Sequence, residues 1–301
     1  PTHVTRPGGQ PDKLLAGQEI GFAPSEVRFG GGDRNAPLTY AIPEKRTTVH
    51  WVGSAPLRPS ALRSLGGTHN TAANEWFLDE VANQTGVDPL ALRLKLLDDP
   101  RAVAVVEAAA ERAGWGTPVP EVDGQLTGRG IAFVQYELDH AYVATVAEVA
   151  VDPASGKVRV TRVVVAHDCG RIVNPDGVRA QVEGNVIQGV SRALKEAVTW
   201  DKRKVTSLTW AEYPILTFPE APEIEVVLID RPEEPSMGAG EPAICTVPAA
   251  IGNAIFDATG ARLRKLPFEP ARVRAVLRTW PPACQPGRRL HTIDALDGLA
   301  S

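Results

Sequence analysis

Apolar positions recur at helical spacing in several stretches of this chain, and proline and glycine bound each one. Asn70 to Thr85 carries Ala73, Phe77 and Val81 four residues apart and stops at Gly86. Asp88-Pro89 opens a Leu-rich helix through Leu97, and Asp99-Pro100 opens another that ends at Gly114. In each pair the Asp caps and the Pro takes the first turn, while the glycines suit helix ends. The pattern then changes. Gly130–Tyr136, Tyr142–Val151 and Lys157–Ala166 are Val-rich runs of strand length, and 152–156 between the last two reads as a hairpin turn. Asn174-Pro175 caps a long helix, 176–197, with Val178, Val182, Val186, Val190 and Leu194 as its core stripe. Thr47–Val52, Val205–Trp210 and Ile224–Leu228 are shorter strand candidates. A final helix starts near Thr246 as cap, with Pro248 in its first turn and Gly260 at its end.

This order predicts an α+β fold with mixed sheets packed against helices. Residues 1–47 are rich in Gly, Pro and charge and read as an extended arm laid on a partner chain. The domain runs over 48–270, and 271–301 reads as a basic C-terminal tail. Hydrophobic residues make up 43% of the 301, enough for a sizeable core. The net charge of -4, with acids and bases interspersed, argues against a nucleic-acid footprint. No apolar run reaches membrane-span length, and the first residue is Pro1. The three cysteines, Cys169, Cys245 and Cys284, form no metal-binding spacing, so an iron–sulfur cluster would need another chain.

Three places carry candidate chemistry. Gly238-Ala239-Gly240-Glu241 sets one carboxylate at the tip of a glycine loop just before a helix, where it can act as a base or stand in solvent as a surface turn. The long helix shows Gln181, Gly184, Asn185 and Gln188 on one face. Helical glycines cost about 1 kcal/mol against Ala, so Gly184 and Gly189 serve either close approach of a polar cofactor or close helix packing. Arg63, in Arg63-Ser64-Leu65-Gly66-Gly67, either binds an anion or covers a loop carbonyl. Asp168 reads as a loop-fixing carboxylate. His69, His140 and His167 have no metal spacing and read as structural or surface residues, and Trp51, Trp76, Trp115 and Trp210 as core.

Taken in order, Arg63-Ser64-Leu65-Gly66-Gly67, then Asp168-Cys169-Gly170 with Asn174-Pro175 and Gln181-Val182-Glu183-Gly184, then Gly238-Ala239-Gly240-Glu241-Pro242, resemble the molybdenum-cofactor subunit of the xanthine oxidase family. The resemblance is to the isoquinoline 1-oxidoreductase type of large subunit, from about residue 37 to residue 268. The resemblance implies water-derived hydroxylation of an N-heteroaromatic compound or oxidation of an aldehyde. A glutamate, matched by Glu241, takes the proton of a molybdenum-bound hydroxyl. Gln181 matches a glutamine on the pterin, with Gly184, Gly238, Ala239 and Gly240 beside the cofactor. Arg63 and Leu65 fall at the substrate pocket, and Leu65 stands where xanthine oxidases have an aromatic residue. The implied cofactor is molybdopterin cytosine dinucleotide with molybdenum. Electrons leave to an iron–sulfur subunit, with a flavin or cytochrome subunit as a further partner.

Large subunits of this family are more than twice as long. The Gly-Gln-Gly and Gly-Gly-Phe-Gly loops of their N-terminal half have no counterpart here. The expectation is therefore the C-terminal half of a split large subunit, sharing its cofactor with a second molybdopterin-binding chain across an interface above roughly 2,000 Å². A non-catalytic assembly half is the alternative. The expected compartment is cytoplasmic, or periplasmic if a partner bears the export signal.

Overall fold

The Val-rich runs join into one sheet in the computed structural model, which describes residues 20–21, 31–50 and 62–279. The strands are β1 (Leu126–Gln135), β2 (Tyr142–Val151), β3 (Val158–Asp168) and β4 (Glu223–Leu228), in that spatial order. The first three are antiparallel, and β4 lies parallel to β3. All ten residues of β2 are buried. A strand covered by helices on both faces reads as a continuous apolar run, which explains its sequence.

Among the described residues three helices precede the sheet: α1 (Gly67–Thr85), α2 (Pro89–Leu96) and α3 (Pro100–Ala113). Asp88 accepts from the amides of Leu90 and Ala91, and Asp99 from that of Arg101. Gly86 and Gly114 end α1 and α3 in the left-handed conformation. The helix α4 (Pro175–Leu194) connects β3 to β4, with Asn174 accepting from Gly177 N as its cap. Val182, Val186 and Val190 are fully buried against the sheet, together with α5 (Pro242–Thr259). On the other sheet face α3 packs Val105, Val106 and Ala109 against Ile131, Phe133 and Val164.

The outer edge of β1 is closed by side chains. Arg129 N donates to Asp257, Ile131 O accepts from Asn253, Phe133 N donates to Glu75, and Gln135 O accepts from Asn35. Pairing of this kind removes an open strand edge. It requires α5 to lie close: a Cβ on Gly130 would stand 2.2 Å from Ala254 N.

Several expectations are corrected. In α1 the stripe Ala73, Phe77, Val81 does not face the core; Phe77 is 61% exposed, and the buried face is Ala72, Glu75, Trp76, Leu78, Asp79 and Ala82. Two acids are inside because arginines meet them: Arg93 pairs with Glu75 and Asp79, and Arg262 with Asp79. The last long helix starts at Pro242, four residues before Thr246. Proline in the first turn marks the start, and Glu241 is the N-cap residue. Thr246 and Pro248 are interior to it, and Thr246 bonds to Thr145 and to Ala243 O. Residues 205–210 form no strand. Glu212 accepts from Leu208 N and Thr209 N, and that turn replaces a ladder. Thr47–His50 is exposed coil, and the rest of that strand candidate lies outside the described residues.

Trp210 is 73% exposed rather than core, and Trp115 is half-buried with its indole donating to Asp88. Trp76 is buried as expected, and Trp51 lies outside the described residues. Part of the expected arm lies on this chain itself: Tyr40 is buried against Phe133 and donates to Glu75, and Ala41 N donates to Leu96 O. Residues 271–279 of the expected tail belong to a helix, α6 (Pro270–Thr279), that buries Val273 in the core.

Candidate functional site

A recess of about 600 Å³ opens between α4 and the N-terminus of α5, lined by Leu62, Arg63, Gln181, Gln188, Arg192, Gly240 and Glu241. Arg63 organises it. Its Nε donates to Gly240 O at 2.6 Å, Nη2 to Gln181 Oε1 at 2.7 Å and Nη1 to Gln188 Oε1 at 3.0 Å. A guanidinium only donates, so it takes both amide oxygens and leaves both NH₂ groups without an acceptor among the described residues. Arg192 donates to Arg63 O. Burial and the neighbouring Arg192 lower the Arg63 pKa from its ordinary value, and Glu241 opposes the shift.

The two glycines of α4 differ. A Cβ on Gly189 would stand 2.7 Å from Val247 Cβ, so close packing of α4 on α5 requires that glycine. A Cβ on Gly184 would meet only Arg63 Nη1, at 3.6 Å. Nothing within the fold requires it, and it leaves helix backbone accessible between Gln181 and Gln188.

Glu241 stands at the N-cap of α5 but makes no capping bond to its own helix. Its carboxylate turns instead to Tyr136, whose hydroxyl donates to Oε2. Arg34 Nη1 lies 3.4 Å from the same oxygen and 2.7 Å from the Tyr136 hydroxyl. Among the described residues Oε1 accepts no hydrogen bond, and the side chain is 37% exposed. Burial and the carboxylate push the Tyr136 phenol well above its ordinary pKa, so it remains a neutral donor.

Backbone strain collects around this site. Among the described residues, the non-glycine residues with left-handed φ are Asn35, Ser64, Leu65, Glu137 and Leu138. They adjoin Arg34, Arg63 and Tyr136. Such conformations cost roughly 1–3 kcal/mol each and persist where surrounding contacts over-determine them. Here Gly66 N donates to Gly31 O, Ser64 Oγ accepts from Thr68 N, and Asn35 Oδ1 accepts from Glu137 N. The glycine loop is held from below. Asp168 accepts from Gly170 N and pairs with Arg101 and Arg231, which hold its carboxyl below the usual range against the opposing effect of burial. Cys169 O, next to Asp168, accepts from Met237 N and so ties this loop to the glycine loop.

The structure therefore brings Glu241, Gln181, Gly184, Gly240 and Arg63 together. Gly238 and Ala239 lie on the adjoining loop, away from the recess lining. Leu65 is 6% exposed, packs against Gly31 and does not line the recess. Sequence reasoning missed Arg34, Tyr136 and Arg192. Arg192 continues the helix face of Gln181 and Gln188 at the next turn, a usable signal; Arg34 and Tyr136 offered none. His167 is fully buried with neither ring nitrogen partnered among the described residues, His69 is half-buried, and His140 pairs with Asp139. Among the described residues no cluster of His, Cys, Asp and Glu could hold a metal ion. A larger groove of about 760 Å³ beside β4 is lined in part by Arg112 and Glu225, which pair with each other.

Residues 82–222 match the molybdopterin cofactor-binding domain. The chain is 46% identical over 266 residues to a nicotinate dehydrogenase subunit from Pseudomonas putida, covering 84% of this chain and 22% of that protein. It is 34% identical over 211 residues to the beta subunit of isoquinoline 1-oxidoreductase from Brevundimonas diminuta, covering 70% of this chain and 26% of that one. Residues 82–222 therefore carry a molybdopterin cofactor-binding domain, and the chain is homologous to molybdenum-binding subunits of the xanthine oxidase type. It spans about a quarter of the length of these relatives. Solved structures agree on the fold. Quinoline 2-oxidoreductase from Pseudomonas putida 86 superposes with a TM-score of 0.65 at 15% identity, over 74% of this chain and 54% of that one. The aldehyde oxidoreductase from Desulfovibrio gigas gives 0.62 at 18% identity, over 74% and 42%. The recess fits a molybdopterin cofactor on its own terms: two free amide NH₂ groups, an open helical glycine and an ordered arginine suit a polar, acceptor-rich group.

Proposed function

We propose that this chain forms part of the catalytic, molybdenum-binding portion of a heteromeric hydroxylase, acting on an N-heteroaromatic compound or an aldehyde. One observation carries the reading: at the rim of a donor-lined recess Glu241 offers a carboxylate with one oxygen bound and the other without a hydrogen-bond partner among the described residues. A molybdenum cofactor, when bound, supplies a Lewis-acidic two-electron centre for transfer of water-derived oxygen. Gln181 and Gln188 donate to its polar rim, Gly184 lets it approach α4, and Arg63 holds both amides in place. The Gly238–Gly240 loop lies alongside. Glu241 takes a proton at Oε1 during the reaction. We assign the cofactor as molybdopterin cytosine dinucleotide.

The partners follow from what the recess lacks. Among the described residues it is open on one side, which suits a second molybdopterin-binding segment or chain as its other wall. Trp210 and Phe218, 73% and 94% exposed, lie on the irregular segment after α4, and Phe77 stands out from α1. Such side chains suit burial in an interface. Cys169 and Cys245 are buried and burial pushes both thiols up, Cys245 to about 12, so neither suits cluster ligation. Iron–sulfur clusters then belong to a partner chain, which passes electrons on to a flavin or cytochrome partner. Among the described residues no helix is long and apolar enough to cross a membrane.

The test is coexpression with a second cofactor-binding polypeptide and an iron–sulfur protein. The complex is expected to copurify with molybdenum and to be reduced by an N-heteroaromatic compound or an aldehyde. A molybdenum-loaded complex that no such compound reduces would instead assign the chain an assembly role.

A further inference from the structure

The contacts of Tyr136 assign it a direction. Arg34 Nη1 lies 2.7 Å from the Tyr136 hydroxyl. Arginine donates only, so the phenol oxygen accepts there and its single proton points elsewhere. The remaining partner is Glu241 Oε2. Arg34 is itself anchored by Glu137 Oε1 at 2.7 Å. The following residue pair is strained, with Glu137 at φ 56° and Leu138 at φ 71°. Asn35 clamps this turn from both sides, donating to Gln135 O at 2.7 Å and accepting from Glu137 N at 3.1 Å. A strained, doubly clamped turn that ends in one hydroxyl against one carboxylate oxygen is more than packing requires.

We propose that Tyr136, oriented by Arg34, is the positioning residue for Glu241, fixing Oε2 so that Oε1 alone receives the proton in the recess. The proposal rests on the reading of Glu241 as the proton acceptor. In the step, the O–H bond of a hydroxyl presented in the recess breaks and its electron pair stays on that oxygen. The proton becomes bound to Glu241 Oε1, while Tyr136 keeps its own. The bond from Tyr136 occupies Oε2 and leaves the other oxygen as the acceptor. The other charged or titratable groups facing Glu241 are Arg34 and Arg63, both cationic, and the thiol of Cys245, which stays protonated; Glu137 is engaged by Arg34.

The test uses this chain within its assembled enzyme. Tyr136→Phe keeps the ring and removes the donor. It is expected to move the acid limb of the kcat/KM profile upward by about one pH unit or more, since a bond to a charged group is worth about that. It should lower kcat with KM and molybdenum content little changed. Infrared difference spectra give a readout independent of turnover: a protonated-carboxyl band lost in Glu241→Gln should titrate at higher pH in Tyr136→Phe. Arg34→Gln, which frees the phenol to turn, should shift the band in the same direction by less. A band and a profile unchanged in both variants would overturn the proposal. If Glu241→Gln is impaired while Tyr136→Phe titrates as wild type, the positioning role alone fails; if Glu241→Gln turns over normally, the reading beneath it fails as well.

Discussion

Glu75 and Glu241 are both drawn into short hydrogen bonds from a tyrosine, yet they do opposite work. Glu75 is 1% exposed and uses both oxygens: Oε1 accepts from Tyr40 at 2.7 Å, and Oε2 from Arg93 Nε at 2.9 Å and Phe133 N at 3.0 Å. It ties α1 to the edge of β1 and has nothing left to offer a ligand. Glu241 uses only Oε2 and leaves Oε1 facing the recess. The lesson is that a carboxylate's role follows from the count of its unsatisfied lone pairs more than from its burial. A saturated carboxylate builds structure, and one held by a single oxygen is available for chemistry.

The largest stability effect should come from breaking the saturated member. Glu75→Ala leaves Arg93 buried with an incomplete set of partners, and loss of one partner in a buried pair costs about 3–5 kcal/mol. The assembled complex should lose thermal stability, and hydrogen exchange of β1 amides should rise. Near-normal exchange would mean that the Glu75 network is not what closes that edge.

His167 sharpens the same contrast, because it is buried with both nitrogens unpartnered. Burial lowers its pKa to about 4, against about 6.5 unfolded, and His69 is lowered to about 4 as well. Between those values the unfolded chain binds more protons, so stability is full above pH 6.5, falls as pH drops toward 4 and levels below it. The loss is at most about 3 kcal/mol for each histidine. His167→Phe should flatten this slope in an acid unfolding series, and an unchanged slope would exclude His167 as a source.

The glycines of α4 give the smallest and most selective pair. Gly189→Ala forces a Cβ against Val247 and should cost about 1–3 kcal/mol through overpacking. Gly184→Ala meets no backbone and should stabilise the helix by up to about 1 kcal/mol, yet lower molybdenum occupancy of the complex. Full occupancy in Gly184→Ala would return that glycine to a neutral helix position.

Much of the fold was legible because its signals are local. Asp88-Pro89 and Asp99-Pro100 start α2 and α3 where proline and a capping carboxylate dictate, and the α4 valines face the core at their period. The α1 stripe failed because hydrophobic spacing takes no account of buried acids, and Glu75 and Asp79 go inside only because Arg93 and Arg262 arrive from elsewhere in the chain. The start of α5 was misplaced because Thr246 and Pro248 mimic a cap and a first turn inside a helix already begun at Pro242. In the site, Arg63, Gln181, Gly184 and Glu241 stood out through glycine spacing and one helix face. Arg34 and Tyr136 did not, since 102 residues separate them and only the strained turns bring them together.

The central claim, that Glu241 accepts a proton in a site built to hold a molybdenum cofactor, is tested most directly by turnover per bound molybdenum in Glu241→Gln. The amide keeps the shape of the side chain and can still accept from Tyr136, so molybdenum content and thermal midpoint should match wild type. Turnover per molybdenum should fall by roughly 100- to 10,000-fold, the usual worth of a positioned base. Turnover per molybdenum within a few-fold of wild type would contradict the account.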